Sequence, residues 1–300
     1  MTIIEEIKAS FKGGTNLTRL IYVNTGVFLV LHLVLVILFL LDKTGLNYTV
    51  LQLFAVPADL SSIAAKPWTV VSYMFLHKEF FHLLFNLLWL YWFGKIFIQY
   101  IGDKSLLSVY LLGGLCGALF FITAYNIFPA LSENLSGSMA MGASAAVMAI
   151  VIAIATYAPD HIIYIVFIGP VKIIWVALIG FILSSVVDFS VNTGGKIAHI
   201  GGAVFGYYFA LRYRNGVNVA LWFEKLITVF LSWFKPRKRK MKVSYKRNVS
   251  DIEYNTRLVE KQKDIDRILD KISSKGYNSL SDEEKAILFK SGGPSATREK

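Results

Sequence analysis

Charge is scarce in this chain, and most of it lies toward the two ends. Only 17% of the 300 residues are Asp, Glu, Lys or Arg, whereas 55% are hydrophobic. A soluble domain of this size would be about 45–50% apolar. The shortage of charge excludes an ordinary water-soluble globule and predicts an all-α polytopic membrane protein with soluble ends. Cysteine is nearly absent. Cys116 alone cannot close an intrachain disulfide, so no redox compartment follows, and it reads as a small packing residue. Internal repeats of the kind that build alternating-access transporters are lacking too, which argues against a proton-relay carrier. The formal charge of +11 comes largely from the C-terminal tail, so it does not point to nucleic acid, and no such partner is expected.

Six long apolar stretches are present, at about 21–41, 81–101, 105–125, 142–158, 171–188 and 196–213. A helix of about 20 residues crosses ~30 Å of hydrocarbon. The first stretch is too long for a signal-peptide core and has no small-residue cleavage site after it, so it reads as a span. The short run 162–168, ended by Gly169-Pro170, reads as an interfacial or re-entrant connection. The connection 42–80 is the longest between spans, and long loops in compact proteins are often functional. Lys8, Lys12 and Arg19 precede the first span and Arg212 and Arg214 follow the last, whereas 126–141 has no Lys or Arg. The positive-inside bias places both termini in the cytoplasm and fits a bacterial inner membrane, with an organelle membrane as the alternative.

Four segments follow: 1–20, a cytoplasmic N-terminal segment; 21–213, the membrane domain; 214–247, an interfacial helix with a basic segment; and 248–300, a helical tail. The stretch from Ala220 to Phe234 is short and aromatic, and eight basic residues lie between Lys235 and Arg247. Anionic lipid is the expected partner there. In the tail, Ser281-Asp282-Glu283-Glu284 is a capping box before an apolar run. With Asp264 to Ile272 it predicts a small helical hairpin that could dock a cytoplasmic partner.

Three polar clusters interrupt the apolar stretches. Ser144 lies in Gly142-Ala143-Ser144-Ala145-Ala146, His199 in Ala198-His199-Ile200-Gly201-Gly202, and His77, His82 and Asn86 open another stretch. Ionisable groups at membrane depth are costly and therefore functional candidates. A serine needs a base to become a nucleophile, and His199 is the obvious one. No acidic residue is placed to orient it, so a dyad is expected. Taken alone, a serine in a span more often bonds back to its own helix. Gly202 and Gly206 fall on the stripe of His199 and would let its helix approach a neighbour closely. His82 and Asn86, four apart, share a face and could donate to an oxyanion. His77 cannot share that face on one regular helix and belongs where the loop meets the span. The His-x-x-x-x-His spacing is not that of a zinc helix and no third ligand is evident, so neither metal nor cofactor is expected.

Leu76-His77 through His82 to Asn86, then Gly142-Ala143-Ser144, then Ala198-His199-Ile200-Gly201-Gly202 with Gly206, resembles the rhomboid family of intramembrane serine proteases in order and spacing, over about residues 20–213. The resemblance implies a six-transmembrane-helix rhomboid-like bundle with Ser144 as nucleophile and His199 as general base. His82, Asn86 and the Ser144 backbone N–H would form the oxyanion hole, and transmembrane proteins would be the substrates. Pro67-Trp68 matches part of the family's Trp-Arg loop motif, with Thr69 in place of the arginine. Ile98 replaces a frequent glutamate, Ala145 the glycine that often follows the serine, and Met148 a tyrosine set against the histidine. The rival reading is a rhomboid-like module that binds transmembrane helices without cutting them.

Overall fold

In a computed structural model, residues 2–190, 192–233 and 250–291 are described. They divide into two compact units, Met1–Lys235 and Pro236–Lys300. The basic cluster from Lys235 to Arg247 lies outside the described residues.

The first unit begins with α1 (Ile3–Gly13), opened by a reciprocal capping box between Thr2 and Glu5. Next comes α2 (Asn16–Leu40), which starts five residues before the apolar run because Thr15 caps it. Arg19 donates to the carbonyls of Phe11 and Lys12 and so closes the end of α1. The long connection folds into α3 (Asn47–Gln52), β1 (Val56–Pro57), α4 (Leu60–Ala65) and α5 (Thr69–Ser72). Asp59 caps α4, and hydrogen bonds from Ser61 and Ser62 pull its carboxyl down to about 2. Then follow α6 (Phe80–Tyr100), α7 (Asp103–Ile127), α8 (Pro129–Ser132), β2 (Met139–Ala140) and α9 (Ser144–Tyr157). Strand β2 pairs antiparallel with β1 and ties the two loops together. After α9, β3 (Ile162–Ile165) and β4 (Gly169–Lys172) form an antiparallel hairpin. They lead into α10 (Ile173–Ser185), α11 (Thr193–Arg214) and α12 (Leu221–Trp233).

Six helices thus coincide with the six apolar stretches, but their lengths differ from the expectation. Among the described residues, α2, α6 and α7 are long and apolar enough to cross a membrane by themselves. Helices α9 and α10 have 14 and 13 residues, short of the about 20 needed for a full crossing. The expected stretch 142–158 therefore contributes a helix that begins at Ser144, preceded by irregular chain. Such chain is tolerated only inside protein, and Ala143 is fully buried. The expected interfacial run 162–168 is the exposed β3–β4 hairpin. Phe167 at φ +69 and Gly169 at φ +92 turn the chain there.

Helix α9 is apolar all round, as a central helix must be, and is wrapped by α6, α7, α10 and α11. Small residues make the close approach possible. A Cβ on Gly113 or Gly117 of α7 would collide with Ala149 or Ala145 of α9. A Cβ on Gly202 or Gly206 of α11 would run into the α9 backbone at Ala145 or Ala149. Helix α2 does not wrap α9 but joins the core through buried Leu17 and Leu20 and through buried Asn24, which donates to Tyr110 Oη at 3.2 Å.

The second unit, among its described residues, holds α13 (Asp251–Lys275) and α14 (Asp282–Ser291). The capping box expected at Ser281 forms: Glu284 N donates to Ser281 Oγ at 3.2 Å, and Ser281 N to Glu284 Oε2 at 2.8 Å. Ile268 and Leu280 are buried, and Lys271 bonds Glu284 across the turn.

Candidate active site

Gly142 sets the site's geometry. Its φ of +122 lies in a region that L-residues rarely adopt. Its Cα also packs against a ring, because a Cβ there would sit 2.6 Å from His82 Cε1. The backbone is held on both sides: Gly142 N donates to Tyr73 O at 2.8 Å, and Ala143 N to His77 Nε2 at 3.2 Å. Ser144 follows as the first residue of α9. Its N–H is one of those that a helix leaves unpaired at its positive end.

His77 lies in the loop ahead of α6 and is completely buried. Its Nδ1 faces the Phe75 carbonyl at 3.3 Å. A carbonyl only accepts, so Nδ1 carries the proton and Nε2 is the acceptor. Nε2 takes the Ala143 N–H and an Asn86 Nδ2–H, the latter at 3.3 Å. The other Asn86 amide hydrogen goes to the His82 carbonyl at 2.9 Å. Both hydrogens of the amide are therefore engaged at rest. The His82 ring sits edge-on to His77, with centroids 5.2 Å apart, and makes no hydrogen bond among the described residues.

Ser144 and His199 line one cavity of about 370 Å³ together with His82 and Asn86. Its remaining walls are mostly apolar, from Phe85, Trp89, Met148 and Leu183. His199 Nδ1 meets the Ser184 carbonyl at 3.1 Å. The same reasoning puts its proton on Nδ1 and leaves the Nε2 lone pair free. Neither Ser144 Oγ nor His199 Nε2 bonds another group among the described residues. The orienting group is thus a main-chain carbonyl in the last turn of α10, which side-chain reasoning could not find. Trp89 packs against Gly180 of α10, where a Cβ would strike the indole.

The loop before the site is anchored without the missing arginine. Trp68 Nε1 donates to Leu53 O at 2.8 Å, Ser72 Oγ to Phe54 O at 2.8 Å and Lys66 Nζ to Gln52 O at 3.0 Å. Thr69 is buried and turns its hydroxyl back to Lys66 O at 2.7 Å. At the far end of α6, Tyr213 Oη donates to Ile101 O at 3.3 Å.

Comparison with known proteins bears on the same region. A family model described as Rhomboid domain matches residues 64–215. A second, described as a family of unknown function (DUF6576), matches residues 250–290. A relative, RHOMBOID-like protein 12, mitochondrial, from Arabidopsis thaliana, is 29% identical over 158 residues. The aligned stretch is 49% of this chain and 47% of the relative, so the match spans about half of that protein's length.

Proposed function

The chain belongs to the rhomboid family, and on that premise we propose that it is an intramembrane serine endopeptidase acting through a Ser144–His199 dyad. The observation that carries the proposal is the shared cavity in which His199 offers an unprotonated Nε2 and Ser144 an uncommitted hydroxyl. Ser144 Oγ attacks the carbonyl carbon of a peptide bond, and its proton passes to His199 Nε2. The oxyanion that forms is met by the Ser144 N–H at the start of α9 and by the His82 ring. Asn86 joins them by releasing its longer bond to His77. His199 then protonates the leaving nitrogen, and a water deprotonated by the same Nε2 hydrolyses the acyl-serine.

Substrates are transmembrane segments of other proteins, which must unwind to present a peptide bond to a cavity walled by side chains of α6 and α10. We place the protein in a bacterial inner membrane with both termini cytoplasmic, a reading supported by the basic residues that flank the first and last spans. Anionic lipid sits against its basic segment, and a cytoplasmic partner sits on its helical tail. The test is cleavage of a single-span reporter protein in liposomes. Wild type cuts it and Ser144→Ala does not. Undiminished binding of the reporter with no cleavage by either would favour the non-cutting module.

A further inference from the structure

Lys196 is an ammonium buried in an apolar helix, 9% exposed. Burying a cation is costly unless its hydrogens are taken up. No carboxylate among the described residues is within ion-pair distance of it. Its Nζ donates instead to two main-chain carbonyls, Val187 at 2.6 Å and Asp188. Both lie just past the C-terminus of α10, where carbonyls lack helical partners and the dipole attracts a cation. Asp188 is in the left-handed region, φ +50, as the chain turns out of the helix.

Three residues on, His199 shares the face of α11 that carries Lys196. Its Nδ1 bonds Ser184 O, in the last turn of α10. Helix α11 therefore grips the end of α10 at two levels, the lysine one turn from the base. Elsewhere α10 is thinly held. Ile173, Ala177 and Ser185 are its buried residues, whereas Ile179, Ile182 and Leu183 are exposed. Segments with few buried contacts open first.

We propose that Lys196 is a positioning residue for the dyad: by clamping Val187 and Asp188 it keeps the Ser184 carbonyl on His199 Nδ1 and so fixes the base in its productive tautomer. The proposal rests on the Ser144–His199 reading. Lys196 touches no substrate. Without it the last turn of α10 frays, the Ser184 carbonyl departs, and the imidazole turns or carries its proton on Nε2.

The experiment compares wild type with Lys196→Met, Lys196→Arg, Lys196→Gln and Thr193→Val. It reads kcat and KM on a transmembrane reporter and the imidazole nitrogen NMR shifts of His199, assigned by their loss in His199→Ala. Lys196→Met lowers kcat about 10²-fold, the effect of a misplaced catalytic group, with KM little changed and the Nδ1–H signature lost. Thr193→Val removes a neighbouring loop anchor, Thr193 Oγ1 to Phe189 O at 2.9 Å, and leaves kcat and the signature near wild type. Wild-type kcat with an unchanged signature in Lys196→Met overturns the proposal, as does an equal loss in Thr193→Val. If Lys196→Met does not fold, the other pair decides. Arginine reaches both carbonyls and preserves the signature, glutamine is too short and loses it, and equal behaviour of the two contradicts the clamp. Full cleavage by Ser144→Ala would instead sink the dyad itself, whatever Lys196 does.

Discussion

Gly202→Ala separates what helix propensity favours from what this interface permits. By propensity alone the substitution stabilises a helix interior by about 1 kcal/mol. In the structure the added Cβ runs into the Ala145 carbonyl oxygen and lies 2.8 Å from its carbonyl carbon and 3.2 Å from its Cα, where ordinary contact starts at 3.4 Å. These are main-chain atoms of a buried helix and cannot swing aside, so α9 and α11 must part by ~1 Å. Overpacking of that kind costs about 1–3 kcal/mol, which leaves a net destabilisation of roughly 0–2 kcal/mol after the propensity gain. The effect on chemistry is larger. Ala145 adjoins Ser144, and His199 is one turn from Gly202, so the separation passes directly to the pair, and ~1 Å there is worth about 10² in rate. The expected result is a fluorophosphonate labelling rate reduced about 10²-fold in detergent with a small fall in melting temperature. Gly26→Ala, where nothing lies within 4 Å of the new Cβ, is the control and keeps the wild-type rate. A Gly202→Ala protein that labels as fast as wild type would refute the claim that helix contact sets the Ser–His geometry.

Three further outcomes follow from the same contacts. His77→Ala strands the Ala143 N–H and an Asn86 N–H that His77 Nε2 now accepts. It should destabilise the protein by about 1–3 kcal/mol, read by thermal unfolding, and an unchanged melt would contradict the assigned tautomer. Asn86→Ala should cut kcat by about 10²-fold or less, because its amide hydrogens are engaged at rest and it joins the oxyanion only by exchange; a far larger loss would mean that it is the principal donor. In the tail, the Lys271 ammonium and the Ser281 N–H hold the Glu284 carboxyl below the ordinary range. A carboxylate whose folded value is depressed adds stability above its unfolded value of about 4.3, and that stability is lost as pH falls through the folded value. Amide exchange at Ile268 and Ala286, corrected for intrinsic rates, should therefore quicken below about pH 4 in wild type and show no such step in Glu284→Gln.

Much of the arrangement could be read from the chain because hydrocarbon imposes a simple grammar. Long apolar runs became helices, and Ser144, His82, Asn86 and His199 stood out as polar groups within them. Gly202 and Gly206 fell on the stripe that does pack against α9. Three features escaped that reading for physical reasons. The acceptor for His199 is the main chain of Ser184, and a carbonyl is the same at every position, so no residue type announces it. The hairpin at 162–172 has strands of four residues, too short for periodicity to tell from any apolar run. Helix α9 begins at Ser144, just past the positive-φ Gly142 that turns the chain, and hydropathy is blind to φ. Two signals were available and unused. Thr2 and Glu5 form a capping box ahead of α1, and Lys196 is an ionisable residue at the edge of a span, three positions before the histidine.

The central claim is that Ser144 is a nucleophile activated by His199. Its most direct test is mass-spectrometric mapping of a fluorophosphonate adduct on the solubilised protein. The account predicts an adduct on Ser144 in wild type, none in Ser144→Ala, and labelling near background in His199→Ala, with all three proteins melting cooperatively. An adduct on another serine, or undiminished labelling of Ser144 in His199→Ala, would contradict it.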